Sequence, residues 1–286
     1  MIGARPRTLP AALVPVAVGG ACASASADAV WWRISLALIV SLALQVGVNY
    51  ANDYSDGVKG TDSVRVGPLR LVGSGVASAS AVKRAAFICF GVAAIAGLVL
   101  AVQTSLWLIL VGIAAIISAW TYTGGPLPYG YAGLGEVFVF IFFGVVATMG
   151  TEFAVSEKVT GVGAVASVAV GAFACALLAV NNLRDIPGDT VSGKRTLAVK
   201  LGDAGTRKLF ALILMAAATA IVVTSFTAGP FAMAGLIGVI AARPAISDIA
   251  KGLKGRDLIP VLGAVGRAQM ILGVTYSVGL VVALSA

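Results

Sequence analysis

The sequence contains no histidine, little charge and only three cysteines, and each shortage removes a class of function. Without histidine there is no His-ligated metal, no His-held haem and no Ser-His triad. Cys22, Cys89 and Cys175 lie far apart inside apolar segments, so we expect small core residues and not a disulfide framework or a zinc site. Only 11% of the residues are charged, against about 25% in soluble domains, which excludes an ordinary soluble protein.

Long uncharged runs make up most of the remaining sequence. A transmembrane helix needs about 20 mainly apolar residues, and several runs are long enough for one or two. They are divided at 103–105, at 124–128 and at 227–230, where Gly and Pro residues or a short polar stretch favour a turn. The sequence therefore predicts an all-α membrane protein, a bundle of nine transmembrane helices at 8–27, 34–52, 85–102, 105–122, 133–151, 160–182, 208–226, 230–247 and 266–285.

The positions of Lys and Arg predict the orientation of this bundle. With nine spans and a cytoplasmic N-terminus, every Lys and Arg except Arg33 and Lys158 lies in or beside a cytoplasmic segment. Such an excess is the usual orientation signal, so the net charge of +8 reflects topology and gives no reason to expect a nucleic-acid partner. We expect a multi-pass protein of the cell (inner) membrane, with one domain over 1–286 and cytoplasmic cap loops near 53–84, 183–207 and 248–265.

The N-terminal segment has a second interpretation. Arg5 and Arg7, followed by an apolar stretch and the small residues of 23–27, are also typical of a cleavable signal peptide. Pro10 and Pro15 favour a retained first helix, and removing it would leave an even number of spans with the same charge bias. The sequence alone leaves cleavage open.

The second span ends in a cluster of Asn and Asp, 49-NYANDYSDGVKGTD-62. If the helix persists past the membrane interface, Asn52 and Asp56 share one face at the i, i+4 spacing. Asp62 follows two glycines that allow the chain to bend back. Asp53 lies about 100° around the helix from Asn52, so we expect it only to face water or to cap.

The sixth span repeats this arrangement in 181-NNLRDIPGD-189. Asn181, Asp185 and Asp189 have the spacing i, i+4, i+8, although Pro187 is expected to break the helix near its end. Both clusters fall on the predicted cytoplasmic side, and each opens its own loop. A single loop aspartate is usually just solvated, but two matching clusters favour a functional site.

Clustered carboxylates repel one another, and a divalent cation relieves that repulsion. Mg²⁺ prefers oxygen ligands and is often shared between carboxylates and phosphates. Each cluster is followed by a basic, glycine-containing loop, 65-RVGPLRLVGSG-75 and 192-SGKRTLAVKLG-202, of a kind that suits phosphate oxygens. The paired clusters therefore predict a diphosphate site in which metal acts on a leaving group. Its basic partners are Arg65, Arg70, Lys194, Arg195 and Lys200.

Three further residues are considered beside this site. Glu136 opens the fifth span, where an ionisable group is either functional or favourable for the helix dipole. Tyr122 and Tyr129 flank the Gly/Pro break, where tyrosine is typical of an interfacial anchor. Tyr122 is also placed to stabilise a carbocation or to orient an acceptor.

At these residues the chain resembles the UbiA-type intramembrane prenyltransferases. The pattern Asn52-Asp53-x-x-Asp56 with Asp62, and the pattern Asn181-x-x-x-Asp185-x-x-x-Asp189, are similar to the paired aspartate-rich motifs of that family. The stretches 52-NDYSDGVKGTDSVRVGPLRLVGSG-75 and 120-WTYTGGPLPYGYAGLGEVFVFIFFG-144 are similar to its 1,4-dihydroxy-2-naphthoate polyprenyltransferase (MenA) branch, which serves menaquinone synthesis.

The resemblance implies a helix bundle around a central cavity, with Mg²⁺ as cofactor and a polyprenyl diphosphate as donor. It implies transfer to the carboxylate-bearing carbon of a hydroxynaphthoate, with loss of CO₂, giving demethylmenaquinone. Residues and resemblance together predict three sets. The metal set is Asn52, Asp56, Asp62, Asp185 and Asp189; the catalytic set is Asp56, Asp185, Arg65, Tyr122 and Glu136; the substrate set is Asn49, Arg65, Arg70, Asn181, Lys194, Arg195 and Lys200.

Two alternatives stay open at this point. One is a member of the same family that acts on another aromatic acceptor, such as hydroxybenzoate or homogentisate. The other is a secondary transporter, which weak repeats also suggest. Against a transporter, the polar clusters lie at span ends and the span interiors are almost free of ionisable groups. The prenyl chain length and the oligomeric state are not predicted.

Overall fold

The computed structural model describes residue 3, residues 5–61 and residues 70–285. Within these residues the secondary structure is helical, without a strand. The described residues form nine main helical segments, which follow one another along the chain. They are α1 (Pro10–Ala23), α2 (Arg33–Lys59), α3 (Ala79–Gln103), α4 (Trp107–Thr121), α5 (Gly135–Ser156), α6 (Gly161–Val191), α7 (Leu197–Ala228), α8 (Pro230–Ala250) and α9 (Gly255–Ser285).

Seven of these segments are long and apolar enough to cross a membrane, whereas α1 and α4 have only 14 and 15 residues. A helix lies at every predicted span, and the count of nine membrane crossings stays a prediction. Several helices are longer than their apolar runs, since α2 continues to Lys59 and α6 to Val191. Hydropathy marks only the part of a helix that lipid covers, while backbone hydrogen bonds continue the helix into water.

Pro187 does not end α6, so the expected break at this position is wrong. The helix continues to Val191, and Asn181, Asp185 and Asp189 keep their i, i+4, i+8 spacing. A proline removes a single backbone hydrogen bond, and here it lies in the last turns of a long, well-packed helix. The helix ends at Val191, and Gly193, two residues on, adopts the left-handed φ of 74° that turns the chain away.

Most of the segment 183–207 is helical, and only 192–196 separate α6 from α7. Thr196 begins α7, because its Oγ1 accepts a hydrogen bond from the Val199 amide at 3.3 Å. Gly202, with φ 69° and ψ 179°, interrupts the helix after one turn. The short link holds the basic residues between the two helices close to the end of α6.

Small residues allow the helices around α6 to approach closely. Gly144 of α5 faces Gly171 of α6 so tightly that a Cβ at Gly144 would lie 2.5 Å from the Gly171 Cα. Gly19 of α1 packs in the same way against the Thr148 backbone of α5. These contacts hold α1, α5 and α6 together along one side of the bundle, and α6 is the most buried of the long helices.

Helix α5 contains a π-helical segment at Phe140–Val146. Such segments shift the positions of side chains around the helix axis and are frequent at functional sites. Phe138 and Phe142, on either side of the start of this segment, both face a central cavity. The change of register thus places an aromatic wall on the cavity side.

The outer face of α3 and α4 is apolar and exposed, as a lipid-facing surface requires. Ile88 and Ile95 on α3, and Ile113 and Ile117 on α4, are all exposed. The same face has no counterpart within the described chain that would cover it. The bundle is therefore built to contact hydrocarbon on this side.

Candidate active site

One cavity of about 670 Å³ lies within the bundle, lined mainly by α1 to α6 and also by the α6–α7 link and the start of α9. Deep in the bundle its walls are apolar, with Val40, Leu108 and Leu177 among them. At its other end it is lined by both Asn/Asp clusters, and we refer to that end as the polar end. The polar end consists of Asn52 and Asp56 of α2, with Asn181, Asp185 and Asp189 of α6.

Asp56 is the most enclosed carboxylate of the polar end, only 2% exposed. Lys194 Nζ lies 3.1 Å from its Oδ1, and Arg70 Nη2 lies 3.3 Å from its Oδ2. The Tyr131 hydroxyl donates a third hydrogen bond to Oδ1 at 2.5 Å. Three separate segments of the chain therefore converge on this one side chain, which would otherwise be a costly buried charge.

Tyr131 also brings two lysines to Asp56. Lys59 Nζ lies 4.9 Å from the centre of its ring, and Lys194 Nζ lies 4.7 Å from it, both within cation–π range. Lys59 in addition donates to the Thr123 carbonyl oxygen at 2.8 Å. The Tyr131 ring thus holds the Lys59 and Lys194 side chains near the polar end, so that a separate carboxylate is not needed for each of them.

Asp185 is held by its neighbour Arg184, which is 1% exposed. The guanidinium donates to both carboxylate oxygens, at 2.7 and 2.6 Å, and this bidentate geometry is the strongest that Arg and a carboxylate form. The same guanidinium reaches the Asn181 Oδ1 at 2.8 Å. Arg184 therefore fixes two residues of the polar end at once.

Asp53 and Asn52 differ in what they bind. Asp53 accepts hydrogen bonds from the backbone amides of Leu71 and Val72, at 3.1 and 3.3 Å, so it caps the turn that follows the first cluster. Asp53 is only 1% exposed. Of the two expected roles, capping is therefore the one observed, and the side chain does not face water. Asn52 lines the cavity instead, and its Oδ1 accepts from the Thr123 hydroxyl at 2.8 Å.

Aromatic rings form one wall of the cavity just below the polar end. Tyr129 stacks on Phe138 with ring centres 3.9 Å apart, and Tyr122 meets Tyr129 edge-on at 5.4 Å. Tyr129 lies in the segment that joins α4 to α5, and burial raises the pKa of its phenol. The Tyr129 phenol therefore stays protonated at physiological pH, and its hydroxyl donates a hydrogen bond to the Ser118 carbonyl oxygen at 2.9 Å.

The donor set of the polar end suits Mg²⁺, because every candidate ligand is a carboxylate or amide oxygen. Within the described part of the chain, no group of three or more His, Cys, Asp or Glu side chains is close enough to hold a metal ion. Asp56 pairs with Lys194 and Arg70, and Asp185 pairs with Arg184. The donor atoms of the polar end fit an oxygen-liganded cation in chemistry.

A family model described as "UbiA prenyltransferase family" matches residues 12–252, which include both clusters and the loops between them. This chain belongs to the UbiA prenyltransferase family. The match confirms the resemblance that the spacing of Asn52, Asp56, Asp185 and Asp189 suggested. The family residues therefore extend from α1 to the end of α8.

Two relatives of this UbiA-family chain carry the same name. It is 50% identical over 269 residues to the 1,4-dihydroxy-2-naphthoate octaprenyltransferase of Mycobacterium tuberculosis, covering 94% of this chain and 92% of that protein. It is 47% identical over 281 residues to the enzyme of the same name from Mycobacterium leprae, covering 98% and 95%. These identities confirm the predicted likeness to the naphthoate branch.

Solved structures of distant UbiA homologues share the fold. The apo homologue from Aeropyrum pernix K1 aligns with a TM-score of 0.75 at 16% identity, covering 94% of this chain and 97% of that one. The homologue from Archaeoglobus fulgidus bound to GPP and Mg²⁺ aligns with a TM-score of 0.68 at 14% identity, covering 98% of both chains.

Other predicted site residues of this UbiA-family chain are spread over different places. Asn49 lies deeper in the cavity wall, where its Nδ2 donates to the Thr8 hydroxyl at 3.1 Å. Arg195 and Lys200 do not line the cavity, and Lys200 Nζ donates to the Ala132 carbonyl oxygen at 2.6 Å on the outside. Asp62 and Arg65 lie outside the described residues.

Several residues of the site were not predicted. Tyr131 and Lys59 were missed because only the folded chain brings the 129–132 turn over the end of α2. Arg184 was assigned to topology alone, although its place between Asn181 and Asp185 is a usable signal. A basic residue inside an acidic helix-end motif has a carboxylate within reach on its own helix.

Proposed function

We propose that this chain transfers a polyprenyl group from a polyprenyl diphosphate to 1,4-dihydroxy-2-naphthoate, a step of menaquinone biosynthesis. The observation that carries the proposal is the 50% identity, over 94% of the chain, to a relative with that name. The cavity adds physical support, since it joins a charged polar end to a deep apolar interior.

The polar end is the proposed diphosphate site. Asn52, Asp56, Asp185 and Asp189 would hold Mg²⁺, which when bound supplies Lewis-acid stabilisation of the leaving diphosphate. Asp62 stays a proposed member of this set. Lys194 and Arg70 already reach the polar end and would bind phosphate oxygens. A homologous structure holds GPP and Mg²⁺, which supports this assignment.

The apolar interior is the proposed site of the prenyl chain. Each buried CH₂ contributes about 0.8 kcal/mol, so a chain of several isoprene units is retained by burial alone. The same walls exclude water from the allylic carbon after its bond to the diphosphate breaks. The aromatic wall of Tyr129, Phe138 and Phe142 lies between the polar end and this interior.

The acceptor reacts through a ring carbon. A new C–C bond forms between the allylic carbon and the carbon that bears the carboxylate, the diphosphate leaves with the former bonding pair, and CO₂ leaves the ring so that aromaticity is restored. This route needs no strong general base, in agreement with a chain that has no histidine.

We further propose nine membrane crossings, an N-terminus and a polar end on the cytoplasmic side, and residence in the cell membrane. The ends of α2, α4 and α6 meet at the polar end, while Arg33 at the start of α2 binds the carbonyl oxygen of Gln103 at the end of α3, at 2.8 Å. The support for this orientation is the sequence pattern, in which every Lys and Arg except Arg33 and Lys158 belongs to a predicted cytoplasmic segment.

The test is an assay of purified protein with radiolabelled geranylgeranyl diphosphate, Mg²⁺ and each candidate aromatic acid in turn. We expect label in the naphthoate product, and none without Mg²⁺. Transfer to hydroxybenzoate but not to the naphthoate would overturn the acceptor. Movement of a solute across a vesicle membrane without any release of diphosphate would instead favour a transporter.

A further inference from the structure

Two buried polar side chains meet beside the cavity, just below the polar end. Glu136, in the first turn of α5, and Asn182, on α6, are each only 7% exposed. The Asn182 Nδ2 donates to the Glu136 Oε1 at 2.9 Å. Cys175 of α6 also donates to the Glu136 carbonyl oxygen at 3.2 Å, which fixes the start of α5 against α6.

This pair sets the orientation of the Asn182 amide. The Glu136 Oε1 accepts this hydrogen bond, so the amide turns its NH₂ group towards Glu136 and its Oδ1 away from it. Asn182 lines the cavity, and no hydrogen bond from a described residue reaches its Oδ1. The wall therefore presents a hydrogen-bond acceptor that a buried carboxylate holds in one orientation.

The position of this acceptor matches the place where the second substrate must react. Asn182 precedes Asp185 by three residues, which places it about 4.5 Å deeper along α6. The Tyr122 hydroxyl belongs to the same wall, since a Cβ on Gly135, next to Glu136, would lie 3.3 Å from it. An aromatic ring beside the diphosphate would thus meet one acceptor and one donor.

The environment of Glu136 is unusual for a residue that only stabilises a helix. Its Oε2 is buried and has no hydrogen-bond partner among the described residues. An unpaired buried oxygen destabilises a fold, whereas a carboxylate that only complements the helix dipole works equally well when exposed to water. The buried position is explained if Glu136 acts on Asn182.

We propose that the Asn182 Oδ1 accepts a hydrogen bond from a ring hydroxyl of the aromatic acceptor, and that Glu136 is the positioning residue that keeps the amide in that orientation. The inference rests on the proposed function, because 1,4-dihydroxy-2-naphthoate carries the hydroxyl donors. An acceptor held in this way rejects an analogue without the hydroxyl, since the buried oxygen is then left unpaired. The same hydrogen bond raises electron density on the ring carbon that attacks.

The first experiment measures KM for each substrate separately, in wild type, Asn182→Ala and Glu136→Gln. We expect Asn182→Ala to raise KM for 1,4-dihydroxy-2-naphthoate about five- to tenfold, with KM for geranylgeranyl diphosphate unchanged. Glu136→Gln acts in the same direction but more weakly, because a glutamine allows the Asn182 amide to turn either way. An equal rise of both KM values, or no rise in either, would overturn the proposal.

The second experiment tests the contact itself with the two monohydroxy analogues, 1-hydroxy-2-naphthoate and 4-hydroxy-2-naphthoate, as competitive inhibitors. In wild type, the analogue that lacks the recognised hydroxyl binds more weakly than the other. We expect this discrimination to disappear in Asn182→Ala, whereas a merely structural change would weaken both analogues equally. Unchanged discrimination in the variant would exclude the contact.

Glu152→Gln is the matched control, because Glu152 is a second buried carboxylate on α5 with one unpartnered oxygen. It lies at the opposite end of the helix, where Thr160 binds its Oε1 at 2.6 Å. We expect both KM values to stay at the wild-type level. Thermal unfolding checks that each variant folds, and Asn182→Ser replaces Asn182→Ala if the latter does not. If the wild-type protein does not transfer a prenyl group to the naphthoate, the proposed function is refuted. This result is distinguishable from a failure of the Asn182 proposal, which is judged only by comparing variants with an active wild type.

Discussion

Lys194 and Asp56 are 138 positions apart in the chain, and their Nζ and Oδ1 atoms lie 3.1 Å apart with both side chains buried. The pair joins the α6–α7 link to the end of α2 and closes the polar end of the cavity. It also gives this buried carboxylate a positively charged partner from a distant part of the chain.

Replacing Lys194 by Met is expected to separate the binding of diphosphate from that of metal. Removing one partner of a buried charge pair has a large effect, so the affinity for inorganic diphosphate with Mg²⁺ should fall about tenfold or more. Affinity for Mg²⁺ alone should not fall, because Asp56 loses a competing cation. Isothermal titration measures both. Lys251→Met removes an exposed pair with Asp248 and serves as the control. Unchanged diphosphate affinity in Lys194→Met would argue against the assignment.

Replacing Tyr131 by Phe removes the hydroxyl that donates to Asp56 but keeps the ring between Lys59 and Lys194. We expect kcat/KM to fall by roughly ten- to a hundredfold, because one hydrogen bond to a charged group is lost. Tyr131→Ala removes the cation–π contacts as well and should cost clearly more. The comparison is steady-state transfer by the two variants. Equal activities would show that the ring does not hold the lysines.

Substitution by alanine is expected to lower stability at Asp53 and to abolish activity at Asp56. Asp53→Ala leaves the amides of Leu71 and Val72 without their acceptor, so stability should fall by about 1–3 kcal/mol, with faster hydrogen exchange at these amides. Asp56→Ala and Asp185→Ala should abolish transfer while the protein stays folded in membranes. Near-normal turnover in either of these two would refute the proposed metal and diphosphate site.

Gly144→Ala is expected to destabilise the crossing of α5 and α6. The added Cβ would lie 2.5 Å from the Gly171 Cα, a backbone atom that cannot turn aside, and overpacking of this kind costs about 1–3 kcal/mol. Gly91→Ala on α3 meets no atom within 4 Å and is the matched control. Thermal unfolding in detergent should show a lower midpoint for Gly144→Ala alone. Equal unfolding midpoints in Gly144→Ala and Gly91→Ala would show that α5 and α6 can move apart to accommodate the added methyl group.

Local spacing predicted the helices and both carboxylate clusters, because the 3.6-residue period alone places Asn52 above Asp56 and Asn181 above Asp185. The sequence did not predict the hydrogen-bond partners of these residues. Tyr131 reaches Asp56 only through the fold of the turn between α4 and α5, and no local pattern encodes that approach. The sequence marked Glu136 as a candidate, and its role stays a prediction; its partner Asn182 lies on another helix, and only tertiary packing pairs them.

The cavity extends along α2 from Asp56 to Ala37, near the other end of the helix, a distance of about 28 Å by helix rise. In the proposed arrangement the diphosphate is held at one level, so donors of every length would place their reactive carbon at the same depth. The residues that limit the number of isoprene units should therefore lie at the far end of the cavity, around Ala37, Leu100 and Leu108, away from the reacting atoms. Substituting these side chains should change the length of the prenyl chain in the product without changing the rate of transfer.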